Sequence, residues 1–354
     1  MGRSEVLRVV QWATGNVGRH AVRAVQRDPG MELVGARVYG ADKVGRDVGE
    51  ICGLGPIGVA ATSDVDEIAA LDADVVLYMP QGEMDPAGAL DDICRMLASG
   101  KNVISTAVTA YIYPKCSGPE VVDRLEAACA EGGTSFHGTG IEPGWAGEVL
   151  PLTMSGILYR TDSILVQELM DYSTYDSRDM MFDIMGFGLP PDADCPMADE
   201  SIVAPTFKAP IMLLADGLGA DIEGFAYRRE VAVAKEAVTV SAGTIEAGMV
   251  SAQRFAYSAI VGGREALTIE HVTRMGADQA PDWPTGRGWR VTIEGEPSMT
   301  LDSRIAVNGE DDTEQGCLGT AMHAIHAIRP VVAADPGIRT FLDLPMITGR
   351  GILS

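Results

Sequence analysis

The segment VVQWATGNVGRHAVRAV, residues 9–25, sets the tightest limit on what this chain can fold into. It opens on an apolar run, crosses a short turn holding Gly15 and Gly18, and continues with helical periodicity, which is a strand, turn and helix in that order. At such a turn one small residue permits tight geometry, another lets backbone amides approach a ligand, and the helix amino terminus favours an anion. The dinucleotide fingerprint places glycines where this chain has Ala13, Gly15 and Gly18, so the first position departs from it. We read Trp12, Ala13, Thr14, Gly15, Asn16, Val17 and Gly18 as a dinucleotide-binding turn, with a purely structural strand-to-helix connection as the alternative.

A chain of 354 residues with 46% hydrophobic content can bury more than one core, and two domains are expected. Its 27 basic and 50 acidic residues give a formal charge of −23, which argues against a nucleic-acid partner held by phosphate contacts but leaves room for a local anion pocket. The six cysteines lack metal-binding spacing and are sparse for a disulfide framework, so a cytoplasmic location is expected. No segment has the form of a signal peptide or a membrane span, so no membrane partner is expected.

Beyond the first crossover, strand-like runs at residues 31–38, 73–79 and 102–107 alternate with helix-length segments, including 86–99. Short strands separated by crossover helices favour a parallel sheet covered on both faces. The second strand ends near Arg37, where an acidic residue would otherwise meet the adenosine ribose. Lys43 and Arg46 follow on a glycine-rich loop. Arg37 and Lys43 point to the extra phosphate of NADP, with NAD as the alternative cofactor and ordinary solvent exposure as the plainer account.

The second half carries strand-like runs at 162–170, 225–237, 249–261, 266–273 and 288–293, with helical periodicity at 178–185 and 210–220. These runs suggest a mixed or largely antiparallel sheet, and a last helix at 314–332 can return to the first domain. The expected fold is therefore α/β, an N-terminal Rossmann-like parallel sheet with a second mixed α+β domain and a returning C-terminal helix. The expected divisions are 1–145 for the dinucleotide, 146–312 for substrate and oligomerisation, and 313–354 for the helix.

In FHGTGIEPGWAGEVLPL, four glycines and Pro143 can bring backbone close to a ligand or form a hinge, and a plain structural turn accounts for them equally. His271, in IEHVTR, projects either toward a cleft or across a sheet. His323 and His326 share a helical face but lack a third ligand, and the acidic series from Asp171 to Asp183 reads as a solvated edge beside a packed aromatic face. No metal site is expected.

The motifs WATGNVG (12–18), NVIST (102–106), GTGIEPG (138–144), GTIEAGMV and IEHVTR resemble the dihydrodipicolinate reductase-like superfamily, especially the branch of 2,4-diaminopentanoate dehydrogenase and the native amine dehydrogenases. The resemblance implies a nicotinamide-binding first domain, small-molecule substrate recognition and homodimeric assembly. It also exposes a difference. The amine-forming relatives carry a glutamate shortly after the equivalent of Ser105-Thr106, whereas this chain continues Ala107-Val108-Thr109-Ala110-Tyr111 and has no acidic residue through Tyr113. The lysine and glycine-rich substrate motif of a true dihydrodipicolinate reductase is missing as well.

Hydride chemistry belongs to the nicotinamide, while the protein aligns the reacting carbons and manages a proton. Glu142, Tyr111, Tyr113, His137 and His271 are the candidate catalytic residues. Glu142 can hold an ammonium or relay a proton, and a tyrosine can donate to a carbonyl-derived oxygen. Each also has a packing or solvation role open to it. The reading is an NAD(P)-dependent oxidoreductase acting on a small carbonyl, imine or amine, with a dinucleotide-binding ligand sensor or a structural interaction protein as alternatives.

Overall fold

The computed structural model describes residues 6–353. The chain divides into two compact units, one ending at Trp145 and resuming at Cys317, the other Ala146–Gly316.

The first unit is built on β1 (Leu7–Trp12), β2 (Met31–Arg37), β3 (Ala61–Thr62), β4 (Val75–Tyr78), β5 (Asn102–Ser105), β6 (Ser135–Gly138) and a late strand, Gly337–Ile338. Its helices are α1 (Gly18–Arg27), α2 (Val48–Ile51), α3 (Val65–Ala70), α4 (Pro86–Ala98) and α5 (Pro119–Gly132). All neighbouring strands pair parallel, in the order late strand, β6, β5, β4, β1, β2, β3. The order reverses at β1, whose neighbours are β2 and β4, and this switch point is where an open parallel sheet leaves a crevice beyond its strand ends. Both faces are apolar, as a doubly covered sheet requires: Val9, Leu77 and Ile104 enter one core, and Val10, Val76 and Val103 the other.

Local signals set the helix starts. Asp64 accepts hydrogen bonds from the amides of Asp66 and Glu67 to begin α3, and Asp85 caps α4 ahead of Pro86. Helix α5 and strand β6 carry no expectation from the sequence.

The second unit holds α6 (Leu150–Ser155), β7 (Arg160–Asp171), α7 (Glu200–Leu218), β8 (Gly224–Val233), β9 (Val238–Val240), β10 (Gly243–Ile245), β11 (Val250–Val261), β12 (Arg264–Arg274), β13 (Gly288–Glu296) and β14 (Met299–Arg304). Its main sheet runs β14, β13, β7, β12, β11, β8, and is mixed because β12 pairs parallel with β7 while the other pairs are antiparallel. One sheet face, with Val166, Phe255, Ile269 and Val291, packs with Phe207, Ile211 and Leu214 of α7. The last helix, α8 (Asp312–Val332), places Ala324, Ala327, Ile328 and Val331 in the first unit's core with Val9 and Val25. The late strand Gly337–Ile338 is β15.

Three expectations need correction. The helix expected at 210–220 begins at Glu200, because Asp199 caps it and two prolines, Pro205 and Pro210, are carried inside; reading Pro210 as a start misplaced the boundary. The strand expected through 237 stops at Val233, where Lys235 and Glu236 turn the chain into the separate β9–β10 ribbon. The segment at 178–185 forms a wide π-type turn, Asp179–Ile184, rather than an α-helix.

Candidate functional site

The turn after β1 is held from within the strand. Gln11 is fully buried, and its Nε2 donates to the carbonyl oxygens of Ala13 at 2.8 Å and Trp12 at 3.3 Å. Ala13, at the position of the absent first glycine, has φ +72°, so the backbone keeps the left-handed conformation that a glycine there would supply. Gly18 is indispensable on steric grounds: a Cβ there would lie 2.1 Å from Ala13 O and 2.8 Å from Gln11 Nε2. At Gly15 the same atom would meet nothing within 4 Å, so that position faces open space. No side chain caps the amino terminus of α1 and its first turn has no acidic residue. A cradle of this kind fits the pyrophosphate of a dinucleotide.

Beside the turn, the Arg37 guanidinium carbon lies 3.4 Å from the Tyr39 ring centroid and 5.3 Å from that of Trp12, a stacked arrangement closed by Trp12 Nε1 donating to Tyr39 Oη at 3.2 Å. Arg37 Nε and Nη1 are buried without a hydrogen-bond partner. Lys43 Nζ reaches Thr14 Oγ1 at 3.4 Å. Two basic residues distant in sequence thus converge on the turn. Trp12 itself is fully buried against Tyr78, whereas Asn16 is exposed and Val17 half-buried.

The carboxyl ends of β5 and β6 meet tightly. An added Cβ on Gly138 would lie 2.2 Å from Tyr111 O, so this glycine lets the 109–112 turn cross β6. Tyr111 is buried, its hydroxyl donates to Pro86 O at 3.0 Å, and burial pushes its phenol up to about 12, which keeps it protonated at neutral pH. Tyr113 is also buried, with the Lys115 ammonium 5.2 Å over its ring.

His137 is fully buried on β6 and its Nδ1 donates to Arg339 O at 2.6 Å. His323 of α8 pairs through Nδ1 with Thr139 Oγ1 at 2.8 Å, and Phe341 lies beside both rings. Burial pushes His137 down to about 4 and His323 down to about 3, so both are neutral at physiological pH. These histidines brace the GTGIEPG segment. Glu142 follows in extended backbone, φ −150°, partly buried.

His271 belongs to the other unit. Its ring packs 4.8 Å from Phe207 of α7, and its Nδ1 is 4.0 Å from Glu168 Oε1. Glu168 in turn accepts from Tyr172 Oη at 3.1 Å and Trp289 Nε1 at 3.3 Å. The sequence reading missed Gln11, Tyr39 and Glu168. Gln11 is the most informative of them, since a polar residue inside the apolar run VVQW calls for a partner once buried.

Residues 148–351 match the 2,4-diaminopentanoate dehydrogenase C-terminal domain family, and residues 9–81 match the N-terminus of dihydrodipicolinate reductase. The chain belongs to the 2,4-diaminopentanoate dehydrogenase family. An amine dehydrogenase from Streptomyces virginiae is 36% identical over 355 residues, spanning 98% of this chain and 99% of that protein. The 2,4-diaminopentanoate dehydrogenase of Acetoanaerobium sticklandii is 25% identical over 81% of this chain and 78% of its own. The structure of an amine dehydrogenase from Mycobacterium smegmatis superimposes with a TM-score of 0.78 over 97% of both chains at 21% identity, which shows the fold this family member shares.

Proposed function

We propose that this chain is an NAD(P)-dependent oxidoreductase that reduces a small carbonyl or imine, or oxidises the corresponding amine, and that it takes NADP in preference to NAD. The observation that carries the reading is the turn itself: Ala13 holds a glycine-type backbone, Gly18 admits no side chain, and the α1 terminus beyond them is uncapped. The full-length likeness to an amine dehydrogenase supports the reaction class. The unpartnered Nε and Nη1 of Arg37, with Lys43 at Thr14, support the preference for the extra phosphate.

When bound, the nicotinamide supplies the hydride. Residues 12–18 hold the pyrophosphate, and Arg37 and Lys43 meet the ribose phosphate. Glu142 holds or relays the substrate proton, with Tyr111, Tyr113, His137 and His271 as the other candidates. The missing glutamate after Ser105-Thr106 makes room for a different charge arrangement around the substrate. A homodimer in the cytoplasm belongs to the same proposal, and the lack of a disulfide among the described cysteines suits a reducing compartment.

The test is NADPH and NADH consumption with a panel of small aldehydes and ketones, with and without ammonia. Glu142→Gln should keep the fold and dinucleotide affinity and lose about 100-fold or more in turnover, the scale of a lost general acid or base. Wild-type turnover in that variant would remove Glu142 from the chemistry.

A further inference from the structure

Helix α8 and the segment after β15 flank an open concavity in the first unit, of about 370 Å3, which is within the size range of small-molecule sites. Its origin is in the packing. Ala324, Ala327, Ile328 and Val331 take one flank of α8 into the core together with Leu344 and Ile347. His326, Arg329 and Pro330 remain on the other flank, and Met346 and Thr348 line the facing segment. The segment passes the helix at Gly349, where an added Cβ would be in ordinary contact with His326 Nε2 at 3.5 Å.

The charges of this cavity do not cancel. Arg329 is balanced by Asp28, whose carboxylate oxygens are 3.0 and 3.1 Å from Nη2, and the absence of a side chain at Gly30 makes room for the guanidinium. Burial holds His326 below its ordinary value, helped by Arg329, so the imidazole is neutral at pH 7. Arg350 lines the cavity and forms no ion pair among the described residues. No acidic side chain among the described residues lines the cavity, in a chain whose formal charge is −23. Among the described residues one cation therefore remains, beside a hydroxyl and the apolar surfaces of Pro330, Pro345 and Met346.

We propose that this cavity binds a small organic monocarboxylate, with the carboxylate on Arg350 and Thr348 and the apolar body against Pro330 and Met346. The site is separate from the dinucleotide turn. Asp28 and Gly30 precede β2 at the amino edge of the sheet, whereas residues 13–18 follow β1 at the carboxyl edge. Six residues of β1 at roughly 3.3 Å each put about 20 Å between them.

Hexanoate and benzoate are the probes, with hexanol and hexylamine as neutral and cationic controls, titrated calorimetrically into the full chain and followed by thermal denaturation. At least one carboxylate should bind and raise Tm while the controls do neither. Arg350→Ala, an exposed position, should fold normally, keep its NADP affinity and lose the carboxylate by about tenfold or more, as removal of a charge-assisted contact requires. Absence of binding by both carboxylates at millimolar concentration would overturn the proposal. Unchanged binding in Arg350→Ala, equal binding of hexanol, or displacement of the carboxylate by NADP would overturn it too.

Discussion

Gln11 and Ala13 are joined by a 2.8 Å hydrogen bond from the Gln11 side-chain amide to the Ala13 carbonyl, two residues on and inside the turn. This bond ties the left-handed Ala13 to a fully buried strand residue and offsets the conformational cost of alanine where glycine would be relaxed. Gln11→Leu removes the donor and leaves the carbonyl without it, at a cost of about 1–3 kcal/mol. Chemical denaturation should show that loss, and dinucleotide affinity should fall with it. A variant as stable as the parent would mean the turn holds itself.

The two glycines of the turn should behave differently. Gly18→Ala brings a Cβ to within 2.1 Å of Ala13 O and should destabilise by about 1–3 kcal/mol, the range of overpacking. Gly15→Ala meets open space and should leave stability within about 0.5 kcal/mol while weakening dinucleotide binding, because its methyl group faces where a ligand approaches. Melting curves and calorimetric titrations on both variants separate the roles; equal stability losses would contradict the geometry.

The buried pair His137 and His323 makes stability depend on pH in a definite direction. Folded values of about 4 and about 3 lie below the ordinary value near 6.5, so the unfolded chain binds protons that the folded chain does not. Their full contribution is present above about pH 6.5 and is lost as the pH falls toward 4 and then 3. The slope is up to about 1.4 kcal/mol per pH unit for each histidine. His323→Gln should flatten the stability profile between pH 4 and 6.5. A profile as steep as that of the parent would place the acid sensitivity elsewhere.

Much of this fold can be read along the chain, because the period of the apolar residues changes from strand to helix at the 13–18 turn and the sheet strands are short, branched and spaced by crossovers. What could not be read depends on tertiary context. Pro210 looks like a helix start yet lies inside α7, where Asp199 had already begun the helix. The two-residue strands β3 and β15 exist only because β2 and β6 offer an edge. For the site, Arg37 and Lys43 were visible as charges after β2. The stacking of Arg37 on Tyr39 and the contact of Lys43 with Thr14 depend on how the loop folds back. His271 was legible as a residue on a strand but not as a neighbour of Phe207 and Glu168.

The central claim, that the turn after β1 holds a nicotinamide dinucleotide and Arg37 selects its phosphate, is tested most directly by calorimetric titration of NADP and NAD into the parent chain and Arg37→Ala. The parent should bind both and favour NADP. In the variant, NADP affinity should fall by about 10- to 100-fold, the worth of a hydrogen-bonded charge at about 1.5–3 kcal/mol, while NAD affinity changes little. Equal losses for both dinucleotides would contradict the selective role of Arg37, and no binding of either by the folded parent would contradict the account as a whole.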